Sequence, residues 1–394
     1  MKGEFKLNTI EKFNQHVMNT YGRFPLVMEN GSGRRCTDEN GKSYIDFGSG
    51  IGTNSLGFCD EKWADAVCGQ VRAIQHTSNY YYTKIQADFA EKLCTSTGYS
   101  KVFFGNSGAE ANECAIKIAR KYSFDKYGKG RHNIITLVNS FHGRTLTTLS
   151  ATGQDVFHNY FFPFTEGFVN VTANDIDDLK AKLDDSVCAV MMEYVQGEGG
   201  VIALEKEFVD AVYELCGEKD ILVIADEVQT GIGRTGSLLA GDLYGKKADI
   251  TTLAKGLAGG VPIGACLTGE KCSTVLVPGT HGSTFGGNPI ACAGGKAVLD
   301  RVTGEGFLDE VNAKADFIKS VLSGIDEVES ISGLGLMIGI KLRSKTAADV
   351  VKKALDNGLL LLTAKDKVRL LPPLTIEMNE LEEGLNILKN ILEE

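Results

Sequence analysis

Lys255 is the side chain of this sequence whose surroundings most favour chemistry. The apolar, strand-like run 250–254 leads into Lys255, and the small residues 256–260 follow it. Its flexible amine should therefore emerge at the end of a strand, where a ligand can come close. A lysine in such a setting is a candidate to form a Schiff base with a carbonyl compound.

Asp226 follows the most apolar run of the chain, 221–225, and Glu227 comes next. An acid there is costly to bury without a cationic partner. The protonated nitrogen of a pyridine ring would be such a partner, and the acid would keep that nitrogen charged so that the ring can accept electrons. A helix cap or a structural ion pair explains Asp226 alone equally well. The presence of Lys255 is what favours the chemical interpretation.

Ser107 and Gly108 lie in a small-residue turn between a strand-like run and a helix pattern. Such a turn directs backbone N–H groups at an anion, so it could hold a phosphate with help from the helix dipole and the Ser107 hydroxyl. Taken alone, Ser107 is better explained as a helix N-cap. The sequence has no Gly-x-x-x-x-Gly-Lys-Ser/Thr motif and no convincing dinucleotide fingerprint. These observations disfavour a P-loop nucleotide site and a hydride-transfer enzyme.

The segment 139–145 follows another strand-like run and contains Phe141, His142 and Arg144. An aromatic face next to an arginine suits a flat cofactor beside a carboxylate substrate. A core aromatic and a surface ion-pair partner are about equally good interpretations of Phe141 and Arg144 at the carboxyl end of a strand. We assign His142 no catalytic role.

The middle of the chain contains five apolar runs of strand length, at 101–104, 134–138, 189–192, 221–224 and 263–267. Helix patterns lie between several of them, and such runs are typical of a parallel sheet buried on both faces. We predict an α/β fold. Its large domain, 61–295, has a mostly parallel central sheet with helices on both faces and ligands beyond the carboxyl ends of strands. Both chain ends, 1–60 and 296–394, form a smaller α+β domain.

The composition limits the kinds of partner. The chain has 394 residues, 51 acidic and 41 basic, and a formal net charge of −10, so no basic surface indicates nucleic acid or an anionic membrane. No window approaches the roughly 18 apolar residues of a membrane span, and the start lacks a signal-peptide core. We expect a soluble, cytoplasmic protein. The ten cysteines and six histidines show no ligand spacing, so we predict mostly buried thiols and no metal site.

A series of ordered motifs gives nearly the whole chain a resemblance to fold-type I pyridoxal-phosphate enzymes, and more narrowly to the class III aminotransferases. The motifs lie at 46–54, 106–112, 140–145, 193–200, 226–236, 253–256, 282–289 and 368–374. The resemblance implies a pyridoxal-phosphate-dependent transferase that forms a homodimer with active sites at the interface.

The resemblance also implies a role for each site residue. The catalytic residues are Lys255, which carries the cofactor and moves a proton, and Asp226, which pairs with the ring nitrogen. The other cofactor-binding residues are Ser107 and Gly108 at the phosphate, Phe141 and Val228 on opposite ring faces, Gln229 at the phenolic oxygen, Glu227 beside Asp226, and Thr284, which reaches the phosphate of the neighbouring subunit's cofactor.

Four substrate-binding residues follow from the same resemblance. Arg144 and Ser283 contact the amine donor, while Glu198 pairs with Arg369 in one half-reaction and releases it to bind a carboxylate in the other. Without the resemblance, Arg369 is better interpreted as a structural arginine and Glu198 as a loop acid.

Within the family, residues 76–79, 141–146 and 362–364 are similar to the branch that transfers the terminal amino group of N2-acetyl-L-ornithine to 2-oxoglutarate, giving glutamate, in arginine biosynthesis. A sister activity on ornithine, succinylornithine, 4-aminobutyrate or the lysine precursor succinyldiaminopimelate stays open. More remote alternatives are an aminomutase and a non-catalytic protein that binds pyridoxal phosphate. Phe58 and Tyr194 depart from the family pattern, and either could alter local packing or the shape of the entry loop.

Overall fold

The structure, a computed structural model, describes residues 7–394. The strands are β1 (Met28–Ser32), β2 (Arg35–Asp38), β3 (Ser43–Asp46), β4 (Lys101–Gly105), β5 (Asn133–Leu137), β6 (Phe168–Val171), β7 (Val187–Met192), β8 (Val195–Gln196), β9 (Ile202–Ala203), β10 (Leu222–Asp226), β11 (Ile250–Leu253), β12 (Gly264–Thr268), β13 (Val328–Leu334), β14 (Met337–Leu342), β15 (Leu359–Leu360), β16 (Leu362–Ala364) and β17 (Lys367–Leu370).

The helices are α1 (Thr9–His16), α2 (Ser49–Gly52), α3 (Glu61–Ala73), α4 (Lys84–Thr97), α5 (Gly108–Tyr127), α6 (Leu146–Ala151), α7 (Ile176–Lys182), α8 (Lys206–Glu218), α9 (Ala240–Leu243), α10 (Pro289–Val302), α11 (Phe307–Leu322), α12 (Ala347–Asp356) and α13 (Met378–Glu393). Within the single turn of α2, Gly50 and Ile51 have left-handed backbone dihedrals. Short 3-10 helices cover Asp155–Phe157, Lys255–Ala258 and Glu270–Cys272.

The largest sheet has seven strands in the order β4-β12-β11-β10-β7-β5-β6, and β12 runs antiparallel to both of its neighbours. Every residue of β7 and β10 is buried. Because successive side chains of a strand point to opposite faces, Val223 of β10 packs in the cluster that contains Phe208 of α8, whereas Ile224 packs in the cluster that contains Ile118 of α5. Helices therefore cover both faces of a mostly parallel sheet, which confirms the predicted α/β fold.

The two chain ends meet in a smaller sheet. Strands β1, β2 and β3 form antiparallel pairs, and β15 joins β3 in parallel, with Ile45 opposite Leu359. Helix α13 lies against this part of the fold, where Gly384 faces the buried ring of Phe47 so closely that a Cβ at position 384 would come within 2.4 Å of it. A further four-stranded sheet has the order β13-β14-β17-β16. These sheets and helices α11–α13 form the α+β part of the molecule.

The domain limits stay a prediction, and the limit between residues 295 and 296 falls inside α10. Along residues 7–394, no helix is long and apolar enough to cross a membrane. No group of three or more His, Cys, Asp or Glu side chains in this part of the chain is arranged to hold a metal ion.

The two residues that depart from the family pattern are accommodated by packing. Tyr194 is buried, with its hydroxyl 2.7 Å from that of Tyr213 and its ring stacked on Tyr244 at 5.1 Å between centroids. Phe58 lies against Gly31, where a Cβ would come within 2.6 Å of the ring. Neither Phe58 nor Tyr194 lines the cavity described below.

The sheet positions the candidate site by bringing strand ends together. Strands β5, β7 and β10 are parallel neighbours, so the segments that follow them leave the sheet at the same edge. Strand β11 is parallel to β10 and ends just before Lys255. Strand β4 points the same way as β11, because each is antiparallel to β12, and it ends just before Ser107.

Candidate active site

A cavity of about 450 Å³ lies at this edge of the sheet. Its lining includes eight of the side chains and glycines predicted from the sequence: Ser107, Gly108, Phe141, Arg144, Asp226, Val228, Gln229 and Lys255. Residues at the ends of four different strands, β4, β5, β10 and β11, thus face one space of a size suited to a small cofactor with its substrate.

Lys255 begins the short 3-10 helix after β11 and has a left-handed backbone, with φ 42°. A non-glycine residue in this region is strained, and such strain persists only where the surrounding structure enforces it. Burial lowers the pKa of the Lys255 amine, against the opposing effect of the Glu198 carboxylate. A lysine amine with a lowered pKa is more readily deprotonated, so Lys255 is suited to act as a nucleophile or as a proton carrier.

Asp226 ends β10 and is 3% exposed. Its Oδ2 accepts hydrogen bonds from His142 Nδ1 at 2.7 Å and from Asn112 Nδ2 at 2.8 Å, and its Oδ1 accepts from the backbone N–H of Val228 at 3.0 Å. Thr252 Oγ1 donates to Asn112 Oδ1 at 2.6 Å and so fixes the orientation of the amide. The carboxylate is therefore held in one orientation at the wall of the cavity.

His142 is fully buried beside Asp226. Burial alone would lower the pKa of the imidazole, but the hydrogen bond and charge of Asp226 more than offset it and the pKa is raised. Among the described residues, His142 Nε2 has no hydrogen-bond partner. A charged His142 would strengthen the hold on the Asp226 carboxylate.

Ser107 is the N-cap of α5, and its Oγ accepts a hydrogen bond from the backbone N–H of Glu110 at 3.2 Å. Ser107 is therefore a helix cap, as the simpler interpretation of the sequence has it. At the same time, the first turn of the 20-residue helix α5 points at the cavity. Gly108 lies against Val228, since a Cβ at position 108 would come within 2.8 Å of Val228 Cγ1. A larger residue at position 108 would therefore press on Val228, which also lines the cavity.

Arg144 stands at the mouth of the cavity and is exposed. Its guanidinium carbon lies 3.8 Å from the centroid of Phe157 and 5.5 Å from that of Phe141. No carboxylate in the described part of the chain forms an ion pair with it, so its planar donors are available to a substrate.

Arg369 and Glu198 form an ion pair next to the cavity. Arg369 Nη1 donates to Glu198 Oε1 at 2.6 Å, and Nη2 donates to Oε2 at 3.4 Å. Burial alone would raise the pKa of Glu198, but the charge of Arg369 more than offsets it and the pKa is lowered. Gln229 links the pair to the cavity, because its amide lies 3.4 Å from both Arg369 Nη1 and Glu198 Oε1.

Besides the pair of Arg369 and Glu198, three predicted site residues lie outside the cavity lining. Glu227 turns away from it and accepts hydrogen bonds from the backbone N–H groups of Ala240 and Gly241 at the start of α9. Ser283 Oγ accepts a hydrogen bond from Asn106 Nδ2 at 3.1 Å. The next residue, Thr284, is exposed. Direct contacts of these three with a cofactor or substrate stay a prediction.

Five polar residues at the cavity were not among the candidate site residues: Thr53, Asn106, Asn112, His142 and Glu193. Asn112 lies one helical turn after Gly108 and so shares its face of α5. Glu193 carries the signal that identified Asp226, an acid directly after a fully buried strand. His142 offers no such signal, because its partner Asp226 is distant in sequence.

A lysine, a buried acid and an anion-binding turn at the strand ends of a mostly parallel sheet define a fold-type I pyridoxal-phosphate-dependent transferase. The sequence profile of the family described as Aminotransferase class-III matches residues 17–392. The chain belongs to the class III aminotransferases, and its cofactor is pyridoxal phosphate.

Individual relatives and solved structures cover nearly the full chain. The acetylornithine aminotransferase of Haemophilus ducreyi is 51% identical over 381 residues, which cover 96% of this chain and 97% of that protein. The ornithine aminotransferase of Toxoplasma gondii ME49 is 34% identical with a TM-score of 0.93, covering 98% of this chain and 96% of that one. The N-acetylornithine aminotransferase of Stenotrophomonas maltophilia is 33% identical with a TM-score of 0.83, covering 94% and 96%.

The residues at the cavity fit the cofactor. The first turn of α5 with Ser107 suits its phosphate, and the buried Asp226 carboxylate suits a cationic ring nitrogen. Lys255 presents an amine with a lowered pKa to the same space. The aromatic ring of Phe141 lines the cavity and can cover a flat ring.

Proposed function

We propose that the chain transfers the terminal amino group of N2-acetyl-L-ornithine to 2-oxoglutarate, giving N-acetyl-L-glutamate 5-semialdehyde and L-glutamate. The observation that carries this proposal is a pair of arginines: Arg144 lines the cavity and has no carboxylate partner within residues 7–394, and Arg369 is held by Glu198 beside the cavity. Two substrates whose carboxylates lie at different places in one site need two cations. One cation must always be available, and the other must be released only when the second substrate binds. The named relatives that act on acetylornithine support the choice of donor.

When bound, pyridoxal phosphate supplies a carbonyl that takes up the amino group and a ring that withdraws electrons from the neighbouring carbon. Lys255 Nζ, whose pKa is lowered by burial, would take the proton from the amine-bearing carbon of the donor and deliver it to the former carbonyl carbon of the cofactor. The Asp226 carboxylate, oriented by His142 and Asn112, holds a proton on the ring nitrogen. Ser107 and the start of α5 bind the phosphate.

Carboxylate recognition divides between the two arginines. With acetylornithine present, Arg144 binds the α-carboxylate and Glu198 stays paired with Arg369, so the uncharged acetylated end meets no free buried cation. With glutamate or 2-oxoglutarate, Glu198 releases Arg369, which takes the α-carboxylate while Arg144 takes the distal one. Bidentate geometry is available at Arg369, because it already binds both oxygens of Glu198.

The chain is proposed to act as a homodimer in which Thr284 reaches the partner's site. Support comes from a set of exposed aromatic side chains beside Thr284, which we call the aromatic face: Tyr80, Tyr81, Tyr82 and Phe285. Asn79 Nδ2 donates to the backbone oxygens of Ser283 and Gly286 and joins the two loops that carry these side chains. Contiguous exposed apolar groups are typical of an interaction surface. We expect the reaction in the cytoplasm, as part of arginine biosynthesis.

A single-turnover comparison of amine donors tests the proposal. The absorbance of the bound cofactor is followed after rapid mixing with acetylornithine, succinylornithine, ornithine or 4-aminobutyrate, each at a series of concentrations. We expect acetylornithine to react with the highest kcat/KM. Ornithine is the second candidate, because a structural relative at TM-score 0.93 is an ornithine aminotransferase. A faster reaction with any other donor would replace acetylornithine in the proposal.

A further inference from the structure

Glu193 is a buried carboxylate at the cavity that the reaction described so far does not use. It directly follows β7, is 5% exposed, and lines the cavity. Its Oε2 accepts a hydrogen bond from the backbone N–H of Phe141 at 2.9 Å, and its Oε1 accepts from the backbone N–H of Gly197 at 3.3 Å. No lysine or arginine of residues 7–394 forms an ion pair with it. Burial raises the pKa of Glu193 to about 7, against the opposing charge of His142. A carboxyl group buried at such a cost in an active site indicates a use.

The two N–H groups belong to segments with different tasks. Phe141 lies in the segment after β5 and turns its ring toward the cavity. Gly197 begins the tip of a two-stranded hairpin formed by β8 and β9, and this tip, 197–201, carries Glu198. Glu193 therefore connects the ring that covers the cofactor space to the hairpin that carries the partner of Arg369.

The hairpin tip is also held by packing at its far end, where Val201 is buried, so Glu193 fixes the end next to Glu198. Gly197 is packed against the amide of Gln229, where a Cβ would come within 2.5 Å. The backbone turns sharply through the tip, with positive φ at Gly200 and Val201. The tip is short and its strands have two residues each, so a fixed N–H at its first residue restricts where Glu198 can lie.

We propose that Glu193 is a positioning residue that fixes the hairpin tip relative to Phe141 and thereby favours the closed Glu198–Arg369 pair. The inference rests on the proposed function, in which the closed pair serves acetylornithine and the open pair serves glutamate. Releasing the tip should therefore weaken the acetylornithine half-reaction more than the glutamate half-reaction. A displaced Phe141 ring would lower kcat/KM of both half-reactions alike. The ratio of the two kcat/KM values therefore reports the contribution of the hairpin.

The variant Glu193→Gln tests the inference in the holoenzyme. The amide keeps the shape of the side chain, but its NH₂ group cannot accept from the second backbone N–H. We expect kcat/KM for the acetylornithine half-reaction to fall about tenfold, chiefly through KM, as suits the loss of one hydrogen bond to a charged group. The glutamate half-reaction should change by less than about threefold. Hydrogen exchange measured by mass spectrometry should become faster in the peptide that contains 197–201.

Asp38→Asn is a matched control, because Asp38 is also a buried carboxylate that accepts from two backbone N–H groups, those of Asn40 and Lys42, at 2.9 Å each. It lies outside the cavity lining, so this variant should lose stability without changing the ratio of the half-reactions. If Glu193→Gln does not fold, Glu193→Asp keeps the charge but is too short to reach both N–H groups. It should shift the ratio in the same direction.

Equal losses in both half-reactions, or an unchanged ratio with unchanged exchange at 197–201, would overturn the inference. The proposed function is judged separately from the wild-type protein. If the wild type does not accept acetylornithine, that proposal fails, and the ratio is then measured with the amine donor that the wild type accepts best.

Discussion

Arg369 is a buried guanidinium whose charge must always be met by an anion. It is 3% exposed, its Nε has no hydrogen-bond partner within residues 7–394, and Glu198 is the carboxylate that pairs with it. An unpaired buried charge costs several kcal/mol. A substrate carboxylate can therefore displace Glu198 with little net loss, because one ion pair replaces another.

The variant Arg369→Ala should separate the two half-reactions. We expect the glutamate half-reaction to lose about 100-fold or more in kcat/KM, since it loses a bidentate contact to a carboxylate, and the acetylornithine half-reaction to lose less than about tenfold. Stopped-flow absorbance of the bound cofactor measures both. Lys367→Ala is the control, because Lys367 lies on the same strand β17 but contacts Ser332 Oγ. Equal losses of kcat/KM in the two half-reactions of Arg369→Ala would contradict the proposed exchange of Glu198 for a substrate carboxylate at Arg369.

The stability contributed by Glu198 should depend on pH. Its folded pKa is lowered below the unfolded value of about 4.3, so the ion pair stabilises the protein above that pH and the contribution is lost as pH falls through the folded pKa. We expect Glu198→Gln to be less stable by about 1–3 kcal/mol at pH 7. The difference from wild type should shrink below about pH 4.

Urea denaturation of both proteins at a series of pH values measures this difference. Glu205→Gln is the control, since Glu205 is exposed and, in the part of the chain that the structure describes, its side chain makes no cap hydrogen bond at the start of α8. A difference between Glu198→Gln and wild type that is the same at pH 7 and pH 4 would show that the charge of Glu198 is not the cause.

At the level of single residues, the sequence identifies groups that stand directly after buried strands, because the carboxyl ends of parallel strands meet. Lys255 and Asp226 were found in this way and face one cavity. The hydrogen bonds of His142 and Asn112 to Asp226 could not be predicted, since each joins elements about 80 to 115 residues apart. The roles assigned to Thr284 and Ser283 stay predictions.

At the level of elements, strand length and apolar content were sufficient for β4, β7, β10 and β12, whose observed bounds lie close to the predicted runs. The hairpin of β8 and β9 was not predicted, because strands of two residues have no measurable periodicity. The order of strands in the sheet could likewise not be predicted, because it depends on contacts between residues that are distant in sequence.

Helix α5 offers an element-scale test at its first residue. Gly108→Ala should favour the helix but push Val228 into the cavity, because the added Cβ would lie 2.8 Å and 2.9 Å from its two methyl carbons. We expect affinity for pyridoxal phosphate to fall about tenfold or more, equivalent to about 1.4 kcal/mol, within the usual cost of overpacking. Titration of the apo protein with cofactor measures the change.

Gly69→Ala is the matched control for Gly108→Ala. It lies inside α3, and no heavy atom of residues 7–394 lies within 4 Å of an added Cβ, so the change should raise stability by about 0.5–1 kcal/mol and leave cofactor affinity unchanged. Cofactor affinity unchanged in Gly108→Ala would show that Val228 can move aside without disturbing the site.

At the level of the whole molecule, the site is expected to be complete only in a dimer. If Thr284 acts on the partner's site, mixing Lys255→Ala chains with Thr284→Val chains should restore activity. In each hybrid dimer one site has an intact lysine and receives an intact threonine from the partner. Random assembly of subunits would give about one quarter of wild-type activity.

Subunit exchange after mild denaturation and refolding, followed by an activity assay, measures the recovery. Each variant refolded alone provides the baseline. Activity that stays at the mean of the two baselines would place the action of Thr284 within its own subunit.

The parallel pairing of β3 with β15 places a constraint on biosynthesis. Ile45 leaves the ribosome long before its partner Leu359, and at synthesis rates of about 5–20 residues per second the delay is roughly 15–60 s. During that interval the edge of β3 has no strand beside it and can pair with other nascent chains. The time for which this edge stays open, rather than the stability of the finished fold, should set how much the protein depends on chaperones when it is made quickly.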